Sequence, residues 1–191
     1  MAKAQNLKKV APKKAPAKKS TSKKVAPKKD AATQLADLLE HGLQDIYWAE
    51  KALVKALTKL SKNTSSPDLK VAVDKHQKET QGHVAILEDV FKSLGKKAKA
   101  KKCDAMQGLI EEADGILEET TPGAVRDAAI IGAAQKVEHY EIATYGTLAT
   151  YAKALNEKNA LNNLLKILQQ EKACDETLTE LAKADINISA I

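Results

Sequence analysis

Apolar residues recur along most of the chain at alternating steps of three and four, the spacing that keeps one face of an α-helix dry. Between 32 and 62 the series runs through Leu35, Leu39, Leu43, Ile46, Leu53, Leu57 and Leu60 and predicts one long helix. "NTSSPD" at 63–68 breaks it, and Ser66-Pro67 supplies a cap and first turn for a second helix, expected from Pro67 to Leu94 and ended by Gly95. The basic run "GKKAKAKK" at 95–102 reads as a loop, after which Asp104 is the candidate cap of a shorter helix to about Glu119. "TTPG" at 120–123 precedes a long helix over 124–155, and "NEKN" at 156–159 leads into a last one over 158–183.

Four long helices and one short one predict an all-α bundle. The link between the second and third long helices spans about 28 residues, far more than an antiparallel hairpin needs. It is long enough to carry the short helix back along a neighbour of ~45 Å. The expected architecture is a ferritin-like four-helix bundle with a long crossover that carries a short extra helix.

Extending each apolar stripe brings in residues that do not belong in a dry core. The series 39, 43, 46, 50, 53, 57 includes Glu50. The series 69, 73, 76, 80, 83, 87, 90 includes His76, Thr80 and His83, with Glu79 beside them. On the third long helix, 131, 134, 138, 141, 145, 148 includes Glu138 and Glu141. On the last, 161, 164, 168, 171, 175, 178 includes Glu171 and Asp175. At 1.5 Å per residue these levels agree to within a few ångströms if the crossover returns the chain to its starting end. An unpartnered buried carboxylate costs several kcal/mol, and a cluster of them calls for multivalent cations. Carboxylate oxygens with limited imidazole suit iron or manganese. The alternative is a metal-free bundle whose polar seam fixes helix register.

Other residues are weighed against this cluster. His41 reads as a surface group, His139 as a surface group or one standing behind the ligands, and His76 and His83 stand level as ligand candidates. Tyr145 shares the stripe with Glu141 and can hydrogen-bond a ligand carboxylate. Cys174 reads as a small buried residue. Glu111 and Glu112 read as solvated, unless the crossover brings Glu112 near the cluster.

Composition changes the picture mainly through charge. Residues 1–29 hold eleven lysines and no acidic residue, so the formal net charge of +6 leaves −5 for residues 30–191. The chain therefore divides into a lysine/alanine/proline-rich tail, 1–30, expected to be disordered, and a helical domain, 31–191. The tail resembles those of linker histones and some bacterial nucleoid proteins. Lys8, Lys9, Lys13, Lys14, Lys18, Lys19, Lys23, Lys24, Lys28 and Lys29 can follow the phosphates of DNA, and the tail's lack of aromatic residues removes base stacking. An anionic membrane surface and a merely solubilising extension are the competing readings. The basic run at 95–102 can add to the same footprint. Cys103 and Cys174 form no disulfide or zinc spacing, and neither a membrane-spanning run nor a secretory signal is expected. A cytoplasmic protein, nucleoid-associated through its tail, is the expectation.

The stretches "LQDIYWAEKAL", "HQKETQGHVAILEDVF", "CDAMQGLIEEA", "RDAAIIGAAQKVEHYEIATYGTL" and "QQEKACDETLTELA" resemble the YciE/YciF-type ferritin-like stress proteins over residues 32–185. The resemblance implies a rubrerythrin-related fold, a di-iron site and homodimers. It assigns Glu50 from the first helix and Glu138 and Glu141 from the third long one. The family's Glu-x-x-His on the second helix is met by Glu79, with glycine at 82, His83 one residue on and His76 three back. On the last helix Glu171 matches, position 174 is cysteine, and Asp175 follows. Two iron ions bridged by Glu79 and Glu171 would then be held by Glu50, Glu138, Glu141 and a choice among His83, His76 and Asp175. The implied activity is that of a ferroxidase or peroxide-consuming stress protein. The other reading is a nucleic-acid-associated protein whose bundle is a scaffold.

Overall fold

The computed structural model describes residues 26–29 and 31–191. Of the tail lysines, Lys28 and Lys29 are exposed. Lys8, Lys9, Lys13, Lys14, Lys18, Lys19, Lys23 and Lys24 lie outside the described residues, and with them the expectation for the tail. Residues 32–191 form one compact unit. Its helices are α1 (Leu35–Asn63), α2 (Pro67–Ser93), α3 (Asp104–Glu119), α4 (Ala124–Ala154) and α5 (Lys158–Leu181). α5 continues through a π-helical turn, Ala182–Ile186, into α6 (Asn187–Ser189), beyond the end expected near 183. Burial of Ala182 and Ile186 holds this extension on the core.

Local chemistry sets the helix ends. The Asp37 carboxylate accepts from the backbone N–H groups of Thr33 (2.9 Å) and Gln34 (3.0 Å), so α1 begins three residues later than the periodicity alone predicts. Ser66 caps α2 by accepting from the Leu69 N–H, with Pro67 as first residue. α2 closes on Gly95 at φ 68°, where Gly95 N–H donates to Lys92 and Lys96 N–H donates to Phe91. α4 closes in the same way on Asn156 at φ 59°. The cap of α3 is Cys103 rather than the expected Asp104. Its thiol sulfur accepts from the Met106 N–H at 3.3 Å and its side chain is buried, whereas Asp104 begins the helix proper and is exposed.

α1 and α2 form one hairpin and α4 and α5 another; α1 lies beside α4 and α2 beside α5. α3 covers α4 and part of α1. The direction of the crossover is fixed by Asp127 in the first turn of α4. Its carboxylate accepts from the backbone N–H groups of Ser65 (2.8 Å) and Ser66 (2.7 Å) in the turn between α1 and α2. The start of α4 therefore sits at the start of α2, and the connection between them runs back along the bundle. This is the long-crossover arrangement that the length of the link predicts. Arg126 closes the neighbouring end of α3 by donating to the carbonyls of Leu117 and Thr120.

The apolar stripes predicted on α1, α2 and α4 are the buried faces, including their polar members. α5 differs. Its buried face is Ala160, Leu164, Ile167, Glu171, Cys174 and Leu178, while Leu161, Leu168 and Asp175 are only partly covered. The two series share 164, 171 and 178 and diverge at the residues between, which turns Cys174 inward in place of Asp175.

Candidate metal centre

Midway along the bundle, α1 contributes Glu50, α2 His76 and His83, α4 Glu138 and Glu141, and α5 Glu171. None of the six is more than 4 % exposed, so bulk water solvates none of them. His83 Nδ1 stands 3.0 Å from Glu171 Oε1 and 3.4 Å from Glu50 Oε1. His76 Nε2 stands 3.1 Å from Glu138 Oε1, and its Nδ1 is 3.9 Å from Glu171 Oε2. The surrounding side chains hold these groups in place. The Tyr145 hydroxyl donates to Glu50, Gln170 faces His83 Nε2 at 3.2 Å, and the Cys174 thiol donates to Glu138 Oε1 at 3.4 Å.

Among the described residues, nine buried side-chain oxygen and nitrogen atoms lack a hydrogen-bond partner, and every one belongs to these six residues. Both oxygens of Glu141 and of Glu171 are among them. Such atoms are rare in folded proteins because each costs about 1–3 kcal/mol. Their concentration at one level, with lone pairs converging but not hydrogen-bonded, is the arrangement that fits metal ions. Burial pushes the Glu138 and Glu141 carboxyls well above the ordinary 4.5, with neighbouring carboxylates adding to the shift, and raises Glu50 as well. Burial pulls His76 below 6.5. It pulls on His83 too, but the Glu171 and Glu50 carboxylates outweigh it and raise that imidazole to about 10. The pocket is thus short of cationic charge.

The ligand atoms group into two positions. Glu50, His83 and Glu171 bring one atom each to within 4.8 Å of one another. His76, Glu138, Glu141 and Glu171 do the same, and so do His76, Glu138 and Cys174. The last two groups share His76 and Glu138 and so describe one position with a choice of further partners. Glu171 is common to both positions.

Residues 34–191 match the family described as Domain of unknown function (DUF892). The chain belongs to DUF892. Protein YciF of Escherichia coli (strain K12) is 48% identical over 157 residues, which cover 82% of this chain and 95% of YciF. The crystal structure of the E. coli stress protein YciF matches at 47% identity with a TM-score of 0.79, over 82% of this chain and 99% of that one. YcfI of Rhodopseudomonas palustris, named as a candidate structural protein, matches at 43% identity and a TM-score of 0.76 over 77% and 94% of the two chains. A Xanthomonas campestris protein at 24% identity and a TM-score of 0.64, covering 81% of this chain and 94% of its own, shares the fold.

This DUF892 chain does not gather every residue expected at its centre. Glu79 lies one helical step round from the seam, with 21% of its side chain exposed, and pairs with Lys75 at 3.3 Å. It borders a shallow cleft with Gly82, His83 and Gln170. Asp175 turns away with the α5 face and receives a hydrogen bond from Gln135 at 3.1 Å. The exposed His139 stands 3.4 Å from it. Glu112 stays at the surface, paired with Lys136. Both histidines of α2 join the cluster, although periodicity alone left the choice open. Cys174 is the member that sequence reasoning assigned to packing. The signal for it was its place three residues after Glu171, where the di-iron pattern implied by the resemblance would carry an imidazole. Among the described residues no helix is long and apolar enough to cross a membrane.

Proposed function

We propose that this DUF892 protein is a metal-dependent stress protein whose bundle holds two divalent first-row ions, iron above all, in the Glu/His cluster. The nine unpartnered buried atoms support it, because cations would satisfy them and nothing else among the described residues does. Glu50, His83 and Glu171 would hold one ion; His76, Glu138 and Glu141, with Glu171 shared, would hold the other. Iron bound there supplies one-electron chemistry toward oxygen or peroxide, and carboxylate ligation favours its oxidised form. The chain's own residues do the rest. Tyr145 fixes Glu50 by donating to one carboxylate oxygen. Gln170 orients the His83 ring through Nε2 and leaves Nδ1 facing the carboxylates. Leu53, Leu57 and Val137 line an apolar space with His76 and Glu138 and, being buried, keep bulk water from them. Protein purified without chelators should take up about two iron(II) ions per chain under anaerobic titration and consume oxidant afterwards. Glu138→Ala should lower the metal content, and unchanged uptake in that variant would falsify the reading.

A second reading concerns the tail. The lysine excess over residues 1–29, with the exposed Lys97, Lys99, Lys101 and Lys102 of the crossover, favours association with nucleic acid through phosphates. It is compatible with the first, because a tethered centre would consume iron and oxidant beside DNA. A homodimer, expected from the resemblance, belongs to the same proposal and is tested by the mass in solution.

A further inference from the structure

We propose that Cys174, His76 and Glu138 make one of the two positions a mixed sulfur, nitrogen and oxygen site, which besides iron takes a thiophilic divalent ion of the zinc, cobalt and cadmium class in preference to an oxygen-seeking one. The proposal rests on reading the Glu/His cluster as a metal centre and gives its two halves different chemistry.

The Cys174 side chain is buried at 7% exposure, and its one hydrogen bond among the described residues goes to Glu138 Oε1. A cysteine that only fills space meets aliphatic neighbours; this one is aimed at a carboxylate. His76 Nε2 stands 3.1 Å from the same oxygen, in a ring that is 4% exposed and has no hydrogen-bond partner on either nitrogen, and the three ligand atoms lie within 4.8 Å of one another. The second Glu138 oxygen is unpartnered as well. Zinc-type ions bind sulfur at about 2.3 Å and nitrogen or oxygen at about 2.0–2.2 Å, so the ligand atoms of a tetrahedral site lie roughly 3.3–3.7 Å apart. The observed 3.1 Å from nitrogen to oxygen and 3.4 Å from sulfur to oxygen are within a few tenths of those edges.

The other position, Glu50, His83 and Glu171, offers no sulfur. An oxygen-seeking ion such as manganese(II) can use Glu141 and Glu171 beside His76 and Glu138 and leave the thiol alone. A thiophilic ion gains by taking the sulfur. When it does, a metal–sulfur bond forms, the S–H bond of Cys174 breaks, and the proton passes to solvent.

The experiment uses the full-length protein, stripped of metal and kept reduced, titrated separately with cobalt(II), cadmium(II) and manganese(II). Cobalt(II) should produce a sulfur-to-metal charge-transfer absorption that saturates at about one equivalent per chain. Cys103→Ser should retain the band and Cys174→Ser should lose it. Cys174→Ser should also weaken cadmium(II) by more than the roughly 10- to 100-fold typical of losing a residue behind a ligand, with manganese(II) affinity unchanged. Cobalt(II) that binds without the band overturns the proposal and leaves the metal centre standing, as does an equal loss of cadmium(II) and manganese(II) affinity in Cys174→Ser. Failure of the wild type to bind any of the three overturns both. If serine at 174 impairs folding, the wild-type band and its persistence in Cys103→Ser decide.

Discussion

Glu141 has both carboxylate oxygens buried and neither hydrogen-bonded, and this is where fold and centre conflict most sharply. Without metal, burial and the charges of Glu50, Glu171 and Glu138 hold its proton on. A raised folded-state pKa helps the fold only while the unfolded chain is also protonated, so the benefit fades as pH climbs past 4.5. His83 acts in the same sense between 6.5 and about 10. His76, lowered by burial, opposes the trend only below 6.5. Thermal denaturation of the chelated protein should therefore show falling stability from pH 6.5 to 8.5, and saturating manganese(II) should flatten or reverse the slope. A chelated protein that gains stability over that range contradicts the assignment. Glu141→Gln removes the ionisable group at constant shape. It should raise the metal-free melting temperature by roughly 2–4 °C, about 1 kcal/mol, and sharply reduce stabilisation by added metal. Four of these carboxylates were legible in the sequence because unambiguous apolar neighbours flank them, as Ala134 and Tyr145 flank Glu138 and Glu141. The pattern placed Glu79 beside the seam rather than on it, and there it pairs with Lys75; its part as a bridging ligand came from the resemblance alone.

Asp127 shows how an element boundary can be fixed from far away. It lies in the first turn of α4, is 2% exposed, and closes the backbone of the α1–α2 turn. Asp127→Ala would leave two amides without their acceptor and should cost about 2 kcal/mol, or roughly 4–8 °C in melting temperature. Calorimetry checks this, and a change under 1 °C would show the contact to be dispensable. Nothing in the sequence marks Asp127 for that role, because an acidic residue in a first helical turn is ordinary and its partners lie about sixty positions earlier. The ends of α2 were easier to read. Ser66-Pro67 and Gly95 each carry a local requirement, for a cap, a fixed φ and a positive φ, that few other residues meet. α5 was legible as a helix and misread in its facing. Leu161 and Leu168 are as apolar as Ala160 and Ile167, so periodicity could not choose between two overlapping faces whose directions differ by about 50°, and packing against α4 and α2 did.

On the scale of the whole molecule, charge is divided unevenly between an acidic bundle and a basic leader. If the lysines of residues 1–29 engage DNA, binding should weaken steeply with salt. Six to ten phosphate contacts correspond to a roughly 10³- to 10⁵-fold loss of affinity between 50 and 200 mM. Removal of residues 1–30 should flatten that dependence in a mobility-shift titration, and equal affinity and slope for both chains would sink the tail's role. The crossover architecture itself was legible from one number, the length of the link after α2, because a compact bundle has no other use for so long a connection. Its consequence extends to dynamics. The Ser65 and Ser66 amides sit in a short surface turn, a place where protons ordinarily exchange with solvent in seconds or less. Both donate to a carboxylate that arrives with α4, so their protection depends on the contact between the two hairpins. Their deuterium uptake should track global unfolding, which makes two amides of a loop the gauge of whether the halves of the bundle are joined.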